Sequence, residues 1–407
     1  MSLTVLLSRL GRAWAWLVAR ARRLARTGVV ASVTPIGWAL LVGGAIAALV
    51  GWNRGWLEFR ALGVIAAVVL AVAAASVLRR REHDVLLELH RPRVQAGDQA
   101  HGRVLVTAGG GRSSAPTTME LPVGAAVAAF RVGALAPTDE HEEMFAIPTR
   151  RRGIVTLGPV RSVQADPIGA VSRNKVLTEP TTLFIHPRIT RVDAGAIGML
   201  KDVEGITTTN LSSSDVAFHA LREYTPGDDR RAVHWRTSAR TGKLMVRQFE
   251  ETMRAHLVLM LSTIESDYET PDDFELAVSA VGSLGSSALR DERQVSVLTS
   301  DGELAFPSAL GLLDRLSGVE PGARGLGLRE LAVRAAGIPG ASVGAFVTGA
   351  ADPAGLRAAQ LALPASMYPF AVRCAARLDL ARRRVGDLIV LDVPALAELP
   401  VALRSLR

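Results

Sequence analysis

This 407-residue chain contains one cysteine, Cys374, and only 5% aromatic residues. A single cysteine excludes an internal disulfide and fits a reducing compartment. Cys374 stands in an apolar, strand-like run, which predicts a buried thiol rather than a nucleophile. Few aromatic side chains are available to stack on bases, so the sequence argues against nucleic acid as a partner despite a net charge of +8.

The sequence also lacks a recognisable catalytic or metal-binding signature. His219 and His234 have no cysteine or carboxylate at metal-ligand spacing. Ser212–Ser214, Asp215 and His219 are close along the chain, but a catalytic triad is assembled by the fold, so this nearness indicates little. We therefore predict no catalytic residue, no metal and no cofactor from the sequence.

Apolar residues, in contrast, make up 49% of the chain and include two long uncharged runs. Val33–Trp52 and Ala61–Leu78 are each long enough, at about 1.5 Å per residue, to approach or cross about 30 Å of hydrocarbon. The short turn between them predicts a helical hairpin, and their length and pairing argue against a cleaved signal peptide. Arginines cluster before the first run and at Arg79–Arg81 after the second. This pattern predicts a plasma-membrane protein with two spanning helices, both termini cytoplasmic, and the lipid bilayer as a partner.

The pattern of the whole chain predicts a multidomain protein. Short alternating runs between Gly, Pro and Ser clusters indicate a β-sandwich, and later strand–helix alternation indicates a doubly wound α/β sheet. The predicted segments are a basic cytoplasmic region (1–30), a transmembrane hairpin (31–80), a β-sandwich-like domain (84–190) and an α/β domain (191–407). Region 1–30 fits either an amphipathic helix on anionic lipid or a disordered tail.

The most concentrated charge lies in residues 222–247, which hold seven cations and three anions. Three counterparts for this charge stay open: acidic groups of the same domain, an acidic surface on a partner protein, or a phosphate. The candidate residues for binding a partner or an anion are Arg222, Glu223, Tyr224, Gly227, Asp228, Arg231, His234, Trp235, Arg236, Ser238, Arg240 and Lys243.

Local signals divide this charged stretch into a turn, a short helix and a strand. Asp228 or Asp229 is placed to cap the helix, and Gly242 is placed to end it in a left-handed conformation. Helical spacing puts Ala232, Trp235 and Ala239 on one face, which we expect to pack against a sheet.

Several motifs together resemble the bacterial family called domain of unknown function 58. The resemblance covers nearly the whole chain, including the apolar hairpin. In the charged stretch and directly after it, the matching motifs are Arg222–Asp229, His234–Leu244 and Arg247–Glu251. Upstream, the matching motifs are Arg151–Gly153, Leu157–Pro159, Asp166–Gly169 and Phe184–Arg188.

The resemblance implies a von Willebrand factor A-like fold in the C-terminal half and no established catalytic activity. It also implies a MoxR-type AAA+ ATPase as a partner and a transglutaminase-like membrane protein as a second one. A domains that bind metal carry Asp-x-Ser-x-Ser after the first strand. Here Ser262 and Ile264 replace the first two of these residues, and Gly349 stands at the later acidic position, so no metal is expected.

We therefore expect a membrane-anchored cytoplasmic adaptor or scaffold that works with the ATPase in a chaperone-like or cell-envelope-related system. One alternative is a membrane-bound hydrolase that uses His219, Asp228 or His234 in acid–base roles. Another is a module that binds anionic lipid or nucleic acid. Arg150–Arg152, three adjacent cations before a strand, fit either an anionic partner or a solvated sheet edge.

Overall fold

The computed structural model describes residues 32–78, 83–109, 113–114, 116–166, 168–192, 216–225, 233–251 and 256–406. The chain divides into two compact units, the second made of Arg151–Gly153 and the chain from Ile185 onward. The first contains the chain before Arg151 together with Ile154–Phe184. The predicted basic region 1–30 and Arg79–Arg81 lie outside the described residues.

The first unit begins with two antiparallel helices, α1 (Pro35–Arg54) and α2 (Leu57–Leu78), joined by a turn at Gly55 with φ of 74°. Both helices are long and apolar enough to span a membrane, as the sequence predicts. They approach closely where small residues meet, since a β-carbon at Gly44 would lie only 2.6 Å from Ala66 Cβ. Such small-residue contacts are typical of helices that pack in lipid.

Ten strands follow in the first unit and form two sheets. Three strands pair antiparallel in the order β1-β3-β6, and the larger sheet runs β2-β10-β7-β4-β8-β9 with β5 paired to β4. The two sheets share one hydrophobic core, to which β1, β3, β4 and β5 all contribute. The strands are β1 (His83–Leu89), β2 (Arg93–Gln95), β3 (Ala100–Ala108), β4 (Thr117–Val123), β5 (Ala126–Val132), β6 (Glu140–Ile147), β7 (Gly153–Leu157), β8 (Arg161–Ala165), β9 (Ser172–Val176) and β10 (Thr181–His186).

The second unit contains a seven-stranded sheet in the order β15-β14-β13-β16-β17-β19-β18. Its five inner strands are parallel, and the edge strands β15 and β18 are antiparallel to their neighbours. The predicted alternation of strands and helices is therefore confirmed as a mixed α/β sheet. Its strands are β13 (His256–Leu261), β14 (Gln294–Thr299), β15 (Gly302–Leu304), β16 (Ala341–Thr348), β17 (Tyr368–Cys374), β18 (Ala381–Val385) and β19 (Leu388–Val393).

Helices cover both faces of this sheet. Successive residues of β13 point to opposite sides: Leu257 and Leu259 join the core with helix α4, whereas Val258 and Met260 join the core with α6 and α7. Cys374 is fully buried, as predicted. The helices of this unit are α3 (Trp235–Thr241), α4 (Pro271–Arg290), α5 (Ala309–Ser317), α6 (Leu328–Ala336), α7 (Pro353–Gln360) and α8 (Leu399–Arg404).

Candidate functional site

The charged stretch folds as a two-stranded ribbon that carries the short helix α3. Strand β11 (Val216–Glu223) pairs antiparallel with β12 (Met245–Glu251), and α3 lies in the connection between them. Gly242 ends α3 with φ of 72°, which is the left-handed position that the sequence predicts. The backbone N–H of Tyr224 donates to the carbonyl of Leu244, which extends the ribbon by one pair.

His234, rather than an aspartate, caps the first turn of α3. Its Nδ1 accepts from the backbone N–H of Thr237 at 3.3 Å and lies 2.8 Å from the Thr237 hydroxyl. Ser238 then joins the helix to the ribbon, because its hydroxyl donates to the His234 carbonyl and accepts from the Met245 N–H at 2.8 Å. Two of the candidate binding residues therefore hold α3 in place.

The predicted packing of Trp235 and Ala239 against a sheet is wrong. Both residues are exposed, and 68% of the Trp235 surface is accessible to solvent. Instead, Ser238 faces inward with 8% exposure. The seven-residue helix has only two turns, so a small hydrogen-bonding residue is enough to dock it. The large aromatic side chain is left on the outer surface.

Two arginines follow this tryptophan in α3. Arg236 and Arg240 are exposed, and neither has an ion pair with any residue in the described part of the chain. Lys243, by contrast, lies 2.9 Å from Glu223, and this contact raises the pKa of the Lys243 ammonium. Among the described residues, the internal salt-bridge hypothesis is therefore supported for Lys243, whereas no described acidic side chain pairs with Arg236 or Arg240.

The remaining candidate residues of the stretch are not placed by the structure. Gly227, Asp228 and Arg231 lie outside the described residues, and only the backbone of Arg222 is described, paired with Val246. The arrangement that the structure does define is an exposed face of Trp235, Arg236, Arg240 and Leu244, which we call the α3 face.

Two upstream motifs hold the second unit together instead of forming an exposed surface. Arg152 has a side chain only 4% exposed, with Nε 3.0 Å from a Glu275 carboxylate oxygen. Its Nη1 donates to the carbonyls of Leu316 and Val319 at the end of α5. His186 lies 2.8 Å from Asp314 of the same helix. Both interpretations of Arg150–Arg152, an anionic partner or a solvated sheet edge, require exposed side chains. They are therefore wrong for Arg152, whose side chain is buried.

An open cleft of about 450 Å³ lies at the carboxyl ends of β13 and β16. These neighbouring strands mark the place where the strand order reverses direction, a common position for ligand sites in α/β sheets. Polar residues that line the cleft are Ser266, Asp267, Arg329, Glu330 and Asp352.

The residues at the carboxyl ends of β13 and β16 do not provide the oxygen ligands of a metal-binding A domain. The Ser262 hydroxyl donates to Asp267, so the serine and the carboxylate satisfy each other. Gly349 packs so closely that a β-carbon there would overlap the Asp267 carbonyl oxygen, which excludes an acidic side chain at that position. Among the described residues, no group of three or more His, Cys, Asp or Glu side chains is arranged to hold a metal ion.

Two solved structures are similar to a quarter of this chain, at low identity. The CARDB domain of the PF1109 protein from Pyrococcus furiosus is 16% identical with a TM-score of 0.20, covering 26% of this chain and 93% of that one. A β-glucosidase from Listeria innocua is 11% identical with a TM-score of 0.19, covering 26% and 16%. Scores this low carry no argument about fold or activity.

Sequence relatives are more informative. Residues 220–317 match the family described as "Protein of unknown function DUF58". The "Uncharacterized protein YeaD" of Bacillus subtilis (strain 168) is 30% identical over 134 residues, which cover 32% of this chain and 32% of that protein. The family match begins within β11, includes α3 and β12, and ends with α5. The resemblance seen in the sequence motifs is thus confirmed over residues 220–317, which are similar to the DUF58 family.

Proposed function

We propose that this protein is a membrane-anchored cytoplasmic adaptor that binds a partner protein through the α3 face. The observation that carries the proposal is the 68% exposure of Trp235 on a helix that also carries Arg236 and Arg240, two exposed arginines that lack ion pairs in the described part of the chain. Tryptophan and arginine are the residues most enriched at the energetic centres of protein interfaces. Leu244, 46% exposed, extends the apolar part of this face.

The charge of the α3 face favours an acidic partner surface. By family resemblance, the proposed partner is a MoxR-type AAA+ ATPase, in a chaperone-like or cell-envelope-related system. A transglutaminase-like membrane protein is a second proposed partner. An acidic patch that meets Arg236 and Arg240 would relieve the repulsion between two like charges four residues apart on one helix.

We propose a von Willebrand factor A-like fold for the second unit. In its support, five parallel strands form the inside of the sheet, and helices cover both faces. A scaffold of this kind presents loops and short helices around a rigid sheet, which suits an adaptor. It needs no metal for this role.

The proposed anchor is the α1–α2 hairpin in the plasma membrane, with both termini in the cytoplasm. Large apolar side chains such as Leu49, Val64 and Ile65 are exposed on the outside of the hairpin, where lipid would cover them. Arginines flank both ends of the hairpin, whereas the turn carries two arginines and one glutamate.

The hydrolase alternative has less support. His234, one of its three candidate residues, already uses Nδ1 to cap α3. Only the backbone of His219 is described, and Asp228 lies outside the described residues. The capping role of His234 therefore supports the docking proposal over an acid–base role for this residue.

Binding assays with full-length protein in nanodiscs and a purified MoxR-type AAA+ ATPase from the same organism test the proposal. Arg236→Glu with Arg240→Glu, and separately Trp235→Ala, are each expected to weaken binding by about thirty-fold or more, since loss of an interface centre costs about 2 kcal/mol or more. The matched control is Arg290→Glu with Arg334→Glu, which reverses two exposed helical arginines elsewhere in the same unit. Unchanged binding by the α3 variants would contradict the proposed docking face.

A further inference from the structure

We infer that the tip of the β8–β9 hairpin is a second membrane contact, in which Ile168 enters the lipid interface and Arg173 and Lys175 bind anionic headgroups. This inference rests on the proposed membrane anchor, because it takes the α1–α2 hairpin to lie in the bilayer. Its ligand is the surface of an anionic phospholipid bilayer. The residues involved lie in the first unit and are separate from the α3 face.

The hairpin tip is hydrogen-bonded to the start of the first apolar helix. The N–H of Thr34 donates to the Ala170 carbonyl at 3.0 Å, and its hydroxyl donates to the Gly169 carbonyl at 2.5 Å. Gly37, one turn further along α1, packs so closely that a β-carbon there would overlap the Ala170 carbonyl oxygen. The tip and the helix therefore form one packed structure.

The tip lies beside the helices rather than beyond their ends. Ala170 and Val171 form an apolar cluster with Leu40 of α1 and with Leu70 and Ala73 of α2. Leu40 and Ala73 are each five residues inside their helix end, which corresponds to about 7.5 Å along the axis. If the helix ends lie at the headgroups, the tip is at the depth that interfacial protein segments occupy, about 5–10 Å into the headgroup and acyl boundary.

The tip also carries the apolar side chain that such a position requires. Asp166 is buried and accepts from the backbone N–H groups of Ile168 and Val171, which shapes the turn. This turn leaves the Ile168 side chain 54% exposed beside the helix start. An isoleucine held outward at the edge of a membrane anchor gains stabilisation only when lipid covers it.

Basic side chains follow on the edge strand β9. Arg173 and Lys175 are exposed, share one face of the strand and have no ion pair in the described part of the chain. At about 3.3 Å per residue they lie roughly 7 and 13 Å from Val171, within the range of a membrane surface potential. Each such cation near an anionic surface shifts the partition toward the membrane by about five-fold.

A simpler role for these cations is to prevent another strand from pairing with the sheet edge. The two roles predict different results for charge reversal. Glutamate blocks edge pairing as well as lysine does, so Arg173→Glu with Lys175→Glu keeps that protection. The same change replaces attraction to anionic lipid by repulsion.

The test uses the full chain in lipid bilayers, with a nitroxide spin label on Ile168→Cys. The single native cysteine is fully buried, so the label reports on the new position. We expect the label at 168 to collide more with oxygen dissolved in lipid than with a water-soluble nickel complex. This preference should grow when anionic phospholipid is added and decline in the Arg173→Glu, Lys175→Glu variant.

Two further label positions serve as references. Val127 is 60% exposed, similar to Ile168, but it pairs with Pro122 at the end of β4 that lies away from the hairpin tip. A label on Val127→Cys should therefore be in water. Ile65→Cys lies within α2 and should be in hydrocarbon. A charge control, Arg382→Glu with Arg384→Glu on the edge strand β18, should leave the signal at 168 unchanged.

The outcomes separate this inference from the anchor on which it rests. A water-exposed label at 168 together with a lipid-exposed label at 65 overturns the second membrane contact and leaves the anchor standing. A water-exposed label at 65 overturns the anchor as well. The label at 168 could be lipid-exposed to the same extent with and without anionic lipid, and in the charge-reversed variant. That result would overturn the proposed binding of headgroups by Arg173 and Lys175.

Discussion

The guanidinium of Arg152 lies 3.0 Å from the Glu275 carboxylate and stacks 5.2 Å from the centre of the Phe274 ring. Burial lowers the pKa of Arg152 and raises the pKa of Glu275, and the opposite charge of each partner offsets part of this shift in the other. The same guanidinium also donates to carbonyls at the end of α5. Arg152 thus joins α4 to α5.

Removal of this arginine is expected to destabilise the second unit. Arg152→Ala should lower the free energy of unfolding by about 3 kcal/mol, because it leaves a partly buried carboxylate and helix-end carbonyls without their partner. The neighbouring Arg151 has an exposed contact with Asp272, so Arg151→Ala should cost only about 0.5 kcal/mol. Urea unfolding of the two variants measures both values, and equal losses would contradict the distinction.

Burial raises the pKa of the Cys374 thiol and also raises the pKa of Tyr268, which packs in the same core. A raised pKa in the folded state contributes stability that is present at lower pH and is lost as pH rises through the unfolded value, about 8.5 for cysteine. We expect the unfolding free energy to fall above about pH 8.5, with Cys374 contributing about 1.4 kcal/mol per pH unit.

The variant Cys374→Ala tests this pH dependence. Its unfolding free energy should decline less steeply between about pH 8.5 and about pH 9.5, where most tyrosine in the unfolded chain is still protonated. A thiol reagent at pH 8 should also leave native Cys374 unmodified and react with it only in urea. Rapid modification of the native protein, or identical slopes in the two chains, would show that the thiol is not buried in this way.

Ser238 is expected to be essential for the orientation of the α3 face. Ser238→Ala removes the acceptor for the Met245 N–H and should destabilise the ribbon by about 1–2 kcal/mol. Partner binding should weaken although no charge and no exposed side chain has changed. Thr241→Ala, at an exposed hydroxyl at the end of the same helix, is the control and should bind normally. Hydrogen exchange at Met245 should accelerate only in the Ser238 variant.

The close approach of the two apolar helices depends on Gly44. Gly44→Leu forces a side chain against Ala66 and should lower hairpin stability by about 1–3 kcal/mol, seen as a lower melting temperature in detergent. Gly43 is the natural control, since a β-carbon there meets no atom within 4 Å. Gly43→Leu should leave the melting temperature unchanged. Equal effects of the two substitutions would argue against this helix contact.

Elements with buried apolar runs could be predicted from the sequence. Strand β13 is a continuous apolar run, and α4 begins at a capping box of Thr270 and Asp273 that precedes helical spacing. The edge strand β18 was not predicted, because three exposed arginines form its centre. The helix α6 was also missed. It has nine residues and follows Gly327, which caps it without a side-chain hydrogen bond.

The candidate site was predicted only in part. Local sequence signals identify the charged residues of the site and the left-handed conformation of Gly242. They do not predict that the Trp235 side chain faces outward. Periodicity defines two faces of a helix, and it cannot tell which one docks when a single serine, Ser238, makes the contact. The role of Arg152 was hidden for a related reason, because its partner Glu275 lies more than a hundred residues away in sequence.

The most direct test of the adaptor hypothesis is affinity purification of the full-length protein from gently solubilised native membranes, with and without ATP. Mass spectrometry then identifies the recovered proteins, and the Arg236→Glu, Arg240→Glu variant is processed in parallel. The proposal predicts that a AAA+ ATPase is enriched with the native chain, changes in amount with nucleotide, and is lost from the variant. Recovery of the intact protein without any such ATPase would contradict the proposal.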